Sequence, residues 1–351
     1  MKWTEGLRRP GVPAALCAAL LFGAGTPVAK QLLGGISPWL LAGLLYLGSG
    51  LGLTLYRAMT KAPAVDLPRT EVPWFAGAIL SGGILAPLLL MAGLTRMPAT
   101  GASLLLNAEG VFTTLLAWFV FKENFDRRIA LGMVAILAGV AALSWPGKVG
   151  ISSLWPSLAI LGACFLWGVD NNLTRKVSLT DATWIASVKG LVSGTVNLCL
   201  AFGMGAVLPS IAQTAAALAV GFLAYGVSLT LFVVGLRHLG TARTGAYFSI
   251  APFFGALLAV LLGEGVTPAL LIAGALMAVG IWLHLTEFHE HKHAHEALAH
   301  DHEHVHDEHH QHEHAQPVAP GTRHRHLHGH EALTHTHRHF PDAHHTHDHH
   351  A

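Results

Sequence analysis

Charge is scarce in this chain. Asp, Glu, Lys and Arg together make up 12% of its 351 residues, about half the share of soluble domains. A water-soluble surface over most of the length is thereby excluded. Cysteine is scarcer still: Cys17, Cys164 and Cys199 all fall inside long apolar stretches. There a thiol packs as a small hydrophobe, which excludes a disulfide framework. No GxxxxGK[ST] string occurs, so direct drive by ATP would need a partner chain. Histidine is missing from the first 283 residues apart from His238.

What the chain has instead is apolar length. Hydrophobic residues make up 52%, and residues 11–287 divide into ten stretches near 12–33, 38–57, 73–94, 98–120, 128–145, 154–175, 183–204, 214–236, 243–262 and 267–285. A helix rises about 1.5 Å per residue, so roughly 20 apolar residues cross a bilayer. The expected fold class is an all-α polytopic membrane protein with the lipid bilayer as its first partner. The N-terminal run is too long for a signal-peptide core and carries Lys30 near its end, which reads as a retained first span. Thirteen Lys and Arg, from Lys2 to Arg243, lie at the N-terminus and in alternate connections, against Arg96 and Lys148 in the others. Positive charge stays cytoplasmic, which predicts an even number of spans in the cell (inner) membrane with both termini inside.

The chain repeats itself. FGAGTPVAK (Phe22 to Lys30) lines up with WGVDNNLTR (Trp167 to Arg175) at an offset of 145, and the same offset carries Trp39 onto Trp184. GVFTTLLAWFVFKE (Gly110 to Glu123) lines up with APFFGALLAVLLGE (Ala251 to Glu264). Five spans per repeat, an odd number, predict two inverted halves, residues 11–145 and 153–285, flanked by a cytoplasmic segment 1–10 and a tail 286–351. Inverted repeats are a plan of secondary transporters, with the solute site where the halves meet. This pattern, with a small-residue first helix ending in Lys30 and a Pro-Phe helix closing on Glu264, resembles the EamA group of the drug/metabolite transporter superfamily. The resemblance covers about residues 11–285. It implies a solute carrier rather than an enzyme, of a group that moves amino acids, metabolites, drugs or nucleotide sugars. Relatives often carry proline where the fourth span reaches mid-membrane. Pro252 fits that pattern in the ninth span, whereas the fourth has Asn107-Ala108-Glu109-Gly110, which makes the fourth span the place to look.

Ionisable residues inside spans are costly and therefore informative. Glu109 lies near the expected midplane, with no basic residue at its depth in spans three to five. It is a candidate to bind solute, a proton or a cation. Asp170 and Lys189 stand at similar depth in spans six and seven, as cavity residues or as an ion pair. Asn107, Asn171 and Asn172 offer amides to the same cavity, and Lys30 is a cavity candidate or a snorkelling anchor. Glu123 and Glu264, at span ends, read as helix-end contacts. Pro27, Pro87 and Pro252 free backbone carbonyls at mid-depth, in a cavity or at a kink.

The tail is different in kind. From His284 onward lie 25 of the 26 histidines, 24 of them in the tail itself. Its eleven acids and four bases give it a net charge of −7 with neutral His. Low apolar content with Pro317, Pro320, Gly321 and Pro341 predicts disorder. Within His289 to His314 the candidate ligands are His289, His291, His293, His295, His300, His302, His304, His306, His309, His310, His312 and His314. Imidazole beside carboxylate suits Zn²⁺, Ni²⁺, Co²⁺ or Cu²⁺ without selecting one. Two HExxH strings, at His289 and His302, arise by chance in a tract so rich in His and lack a cleft for proteolysis.

Three readings stand. The chain is a carrier of a transition-metal ion or metal-linked solute collected by the tail. Or it is an organic metabolite or amino-acid exporter with a metal-buffering or regulatory tail. Or it is a membrane anchor for a metal store. No cofactor is required and no nucleic-acid partner is implied; the solute, direction, coupling ion and oligomeric state are not in the sequence.

Overall fold

In the computed structural model, the described residues are 11–121, 127–144, 151–178 and 180–285, with four short strands beyond residue 290. Residues 11–285 are helical wherever regular structure is described. The elements are α1 (Gly11–Leu32), α2 (Pro38–Met59), α3 (Val72–Leu94), α4 (Ala99–Leu105), α5 (Ala108–Phe119), α6 (Arg127–Ser144), α7 (Ile151–Lys176), α8 (Ala182–Gly203), α9 (Ile211–Gly221), α10 (Ser228–Phe248), α11 (Ala251–Leu261) and α12 (Pro268–Leu285). Local chemistry sets several starts. Ser37 accepts from the Leu40 amide ahead of Pro38, Asp181 accepts from the Thr183 and Trp184 amides, and Ser210 with Gln213 forms a capping box.

Among the described residues, six helices are long and apolar enough to cross a membrane: Gly11–Leu32, Pro38–Met59, Val72–Leu94, Ala99–Phe119, Ala182–Gly203 and Ile211–Leu239. Three shorter apolar helices, Ala130–Ala142, Ala251–Leu261 and Pro268–Leu283, accompany them. Two expected spans differ in detail. The fourth breaks at Leu106–Asn107, between α4 and α5. The ninth is divided: its first residues continue α10 without a loop, and the break falls at Ser249–Ile250. At both breaks the backbone tightens to three-residue bonds, Asn107 to Leu104 and Ile250 to Tyr247. Pro252 has no N–H to offer the last turn of α10. In the first half no proline does this, and the Asn107 side chain bonds the Leu104 carbonyl instead.

The halves share a second irregularity. A π-helical segment, Ile79–Leu85, interrupts α3, and another, Phe222–Val227, joins α9 to α10. The two start 143 residues apart, as do the two breaks. Packing is crosswise: α1 lies against α10 and α11, while α7 lies against α3 and α5. α2 pairs with α8, and α6 with α12. Small residues allow the closest approach, as is usual where burial in lipid gives no hydrophobic drive. A Cβ on Gly190 of α8 would strike the backbone of Gly50 and Tyr46 on α2, and one on Gly23 of α1 would strike the Ala251 carbonyl of α11.

Pro87 explains the polar joint around α3. In the π segment the Ala86 amide reaches Ser81, five residues back. Residue 87 would continue that register to Gly82, or an α register to Gly83, but proline has no N–H. Both carbonyls are met from outside the helix. Tyr46 Oη donates to Gly82 O at 2.6 Å and Trp167 Nε1 at 2.9 Å, while Asn197 Nδ2 donates to Gly83 O at 3.1 Å. The carbonyls that Pro87 frees are thus closed off by α2, α7 and α8 rather than presented to a cavity.

Residues Phe288–Ala351 form a separate unit. Where composition predicts disorder, its described residues are four strands in two antiparallel pairs: β1 (His291–His295) with β4 (Leu333–His337), and β2 (Leu298–His304) with β3 (His324–His330). The alternation of His with other residues has the period of a strand. The register sets His opposite His at 291/337, 293/335, 300/328, 302/326 and 304/324.

Candidate solute site

The two helix breaks meet around one cavity. It is lined by Leu106, Asn107, Glu109, Gly110 and Thr113 from the first break, and by Gly245, Phe248, Ser249, Ala251 and Pro252 from the second, with Phe22, Asn171 and Phe232. Its free interior is about 20 Å³, room for water-sized groups. Glu109 sits in the first turn of α5, where the helix dipole favours a carboxylate. Asn171 Nδ2 donates to Glu109 Oε1 at 2.8 Å and contacts Thr113 Oγ1 at 3.1 Å. Asn107 is almost wholly buried at 1% exposure, and its Oδ1 has no partner among the described residues. Its Nδ2 bonds Leu104 O and the Met277 sulfur. Phe22 is ringed by Trp167, Tyr225 and Phe248 at centroid distances of 5.7, 5.8 and 5.2 Å. The result is one carboxylate, two amides and two hydroxyls against an aromatic wall. Chemically, the carboxylate attracts an amine, and the amides and hydroxyls offer hydrogen bonds to polar groups.

The other sequence candidates lie elsewhere. Asp170 and Lys189 form a buried ion pair between α7 and α8, off the cavity lining, and Thr174 Oγ1 donates to Asp170 at 2.9 Å. Asn172 bonds the Thr113 and Gly168 carbonyls and ties α7 to α5. Lys30 Nζ donates to the Leu94 carbonyl at 2.6 Å, fastening α1 to the end of α3. Glu264 caps α4: its two carboxylate oxygens each accept a backbone N–H, from Ala99 and Thr100, at 2.8 Å. That cap comes from the other half of the chain, because Pro98 at the N-cap has none to give. Glu123 lies outside the described residues.

At the helix ends, Arg57 pairs with Asp181 at 2.8 Å, and Arg237 donates to the Ser178 and Thr180 carbonyls. Burial pushes the Asp181 carboxyl up, but hydrogen bonds from Thr183 and Trp184 and the Arg57 guanidinium outweigh it and hold it below the usual value. Of the tail histidines, His291, His293, His295, His300, His302 and His304 stand on described strands. His289, His306, His309, His310, His312 and His314 lie outside the described residues. Among the described residues, no cluster of three or more His, Cys, Asp or Glu could hold a metal ion.

Sequence reasoning passed over Phe22, Phe232, Phe248, Thr113 and Ser249 as ordinary membrane residues. A Phe within a span carries no mark of which helix face meets a cavity. Ser249 did leave a signal, since it stands three residues before Pro252, where a helix loses a donor.

A profile of the EamA-like transporter family matches residues 9–145 and again 154–286. The chain belongs to the EamA-like transporter family. It is an integral membrane transport protein, duplicated within one chain. An uncharacterized transporter of Methanothermobacter thermautotrophicus is 28% identical over 78% of this chain and 85% of its own length. A probable amino-acid metabolite efflux pump of Salmonella typhimurium is 27% identical over 78% and 94%. A probable terminal-alkyne amino-acid exporter of Streptantibioticus cattleyicolor is 26% identical over 66% and 82%. One crystal structure shares the fold, with a TM-score of 0.63 at 20% identity, over 77% of this chain and 95% of that one.

Proposed function

We propose that this EamA-like protein is a secondary carrier that exports a small organic solute of the amino-acid-metabolite kind through the cavity at Glu109. The observation that carries the reading is the cavity itself. A single carboxylate faces Phe22, Phe232 and Phe248 between two helix breaks, one from each half. A carboxylate attracts an ammonium, the amides and hydroxyls fix polar groups, and the aromatic wall accepts an apolar side chain. Two of the relatives above are named as exporters of amino-acid compounds, which supports the same class. The reading includes ten spans in two inverted halves, in the inner membrane with both termini cytoplasmic. The crosswise packing and the paired π segments and breaks agree with it, as does the thirteen-to-two division of basic residues.

The test is counterflow of radiolabelled amino acids into proteoliposomes, with Glu109→Gln beside the unaltered protein. The expected result is exchange by the unaltered protein and its loss in Glu109→Gln at equal insertion. Unchanged exchange in Glu109→Gln would remove Glu109 from the site. A reporter fused after Ala351 that works only outside the cytoplasm would overturn the topology.

A second reading keeps metal for the tail alone. The concentration of 25 of the 26 histidines from His284 on favours it, since imidazole is a common transition-metal ligand. The cavity's one carboxylate and two amides are hard oxygen and nitrogen groups poorly matched to a transition-metal route. The tail then buffers or senses metal while the body carries an organic solute.

A further inference from the structure

The cavity has one open end and one shut end. A Cβ on Gly245, in its lining, would meet nothing within 4 Å. Toward the other end, where α1 and α11 finish and α4 begins, there is no such room. On Gly255, one turn along α11 from Ala251, a Cβ would come to 2.6 Å from Ser103 Oγ of α4 and 2.7 Å from the Gly23 carbonyl oxygen of α1. Three helices thus close on one another through residues with little or no side chain, and α4 is buried from Ala99 to Leu105.

That seal is tight but not apolar. Ser103 is 1% exposed, and its hydroxyl has no hydrogen-bond partner among the described residues. The Gly23 carbonyl faces the same point. Its α-helical donor would be residue 27, where proline has no N–H. Buried polar groups without partners are costly, so a seal built to stay shut would be lined with hydrocarbon. A hydroxyl and a carbonyl here gain partners when the helices part.

Beyond the seal, two polar contacts hold this end. Lys30 Nζ donates to the carbonyl of Leu94, the last residue of α3, and Glu264 accepts the amides of Ala99 and Thr100, the first two of α4. The α3–α4 turn is therefore gripped on both sides, from α1 and from the end of α11, two helices that pack on each other. Gly263, at φ 101°, makes the left-handed turn that brings Glu264 off α11. Lys30 and Glu264 are only half-buried, and Thr95, Arg96 and Pro98 of the turn are exposed. Water can replace such contacts group for group, which an apolar interlock does not allow.

We infer that Lys30 and Glu264 are the clasp of a gate on the α3–α4 turn, and that the solute leaves through the seal beneath it, past Ser103 and the Gly23 carbonyl. The clasp opens as the mouth at Gly245 closes. The inference rests on the carrier reading above, in which this turn lies on the non-cytoplasmic face and Gly245 toward the cytoplasm. No bond or proton is exchanged; hydrogen bonds to Lys30 and Glu264 pass to water and return.

The test reads the two ends separately and needs no solute. Gly245→Cys and Ser103→Cys are made singly in the full-length protein, freed of its own thiols by Cys17→Ser, Cys164→Ala and Cys199→Ser. A charged methanethiosulfonate reagent is added to the purified protein in mixed micelles, where both faces are reached, and labelling is timed by intact mass. With the clasp unaltered, Gly245→Cys should react fast and Ser103→Cys slowly. Adding Glu264→Gln/Lys30→Met should speed the Ser103→Cys reaction by about tenfold or more, the scale set by losing charge-assisted hydrogen bonds. It should also slow the Gly245→Cys reaction. Contacts that merely hold the fold together would, once lost, speed both. An unchanged Ser103→Cys rate, or a Gly245→Cys rate that does not fall, overturns the inference. Should the double variant not fold, Lys30→Met alone leaves the α4 cap in place and must give the same opposite shifts. Absence of amino-acid counterflow in the unaltered protein would count against the carrier reading, while the two labelling rates still decide the gate.

Discussion

The Gly82 carbonyl offers a quantitative check on how this fold tolerates Pro87. Tyr46 and Trp167 both donate to it, at 2.6 and 2.9 Å. Tyr46→Phe removes one donor and leaves the other. Its cost is one exchangeable hydrogen bond, about 0.5–1.5 kcal/mol. Trp167→Phe costs a similar bond plus the volume of the lost ring, of order 1–3 kcal/mol more. The double variant is a different case, because a buried carbonyl is then left with no donor at all. Desolvating it without a partner costs about 1–3 kcal/mol beyond the sum of the single effects. The cycle should therefore show a coupling energy of about 1–3 kcal/mol, with the double worse than additive. Pro87→Ala restores an N–H within reach of Gly82 or Gly83 and should reduce that coupling. The assay is reversible unfolding in mixed micelles, reading the four corners of the cycle with and without Pro87→Ala. Additive effects to within about 0.5 kcal/mol would refute the account of Gly82 as an orphaned carbonyl held by two side chains.

Two further outcomes follow from other parts of the molecule. The Asp181 carboxyl is held below its ordinary value, so its contribution to the α7–α8 connection is present above the unfolded value of about 3.9 and lost as pH falls through the lower folded value. Unfolding midpoints should accordingly show no change from the Arg57–Asp181 pair between about pH 5 and pH 8, and Asp181→Asn should flatten the acid limb below that range. Truncation after Glu287 removes 24 of the 26 histidines and leaves α1 to α12; counterflow should survive it, while Zn²⁺ binding measured by calorimetry should vanish. In the full chain that binding should weaken as pH falls through about 6.5 and the imidazoles protonate.

Much of this protein was legible residue by residue. Hydropathy is a property of each segment taken alone, and a bilayer reads it as such, so the membrane body and the ends of most helices follow from composition and turn residues. Ser37-Pro38 starts α2, and Asp181 starts α8, for reasons visible within four residues. The duplication was legible too, because Trp39 and Trp184 stand 145 residues apart, the same offset as Phe22 and Trp167. Glu109 stood out as a carboxylate without a local partner, and its setting in the cavity with Asn171 and Asn107 involves residues already singled out. Lys30, Asp170, Asn172 and Lys189 were equally conspicuous in sequence, yet the structure spends them on the Leu94 carbonyl, on each other and on backbone.

Only the tertiary structure decided which helix faces meet. Phe22 and Phe248 are 226 positions apart and touch because α1 packs crosswise on the second half. Nothing local distinguishes them from Phe165 or Phe202, which are 44% and 45% exposed. The π segment at Gly82 likewise needs both a cause in sequence, Pro87, and donors from α2, α7 and α8 that no window around it contains. Segment-level terms such as hydropathy, capping and basic flanks are sums over neighbours in the chain, and they determine class and spans. A cavity, an ion pair or a rescued carbonyl is a meeting of residues far apart in the chain, and the physics that assembles it is the packing of small residues between the two halves.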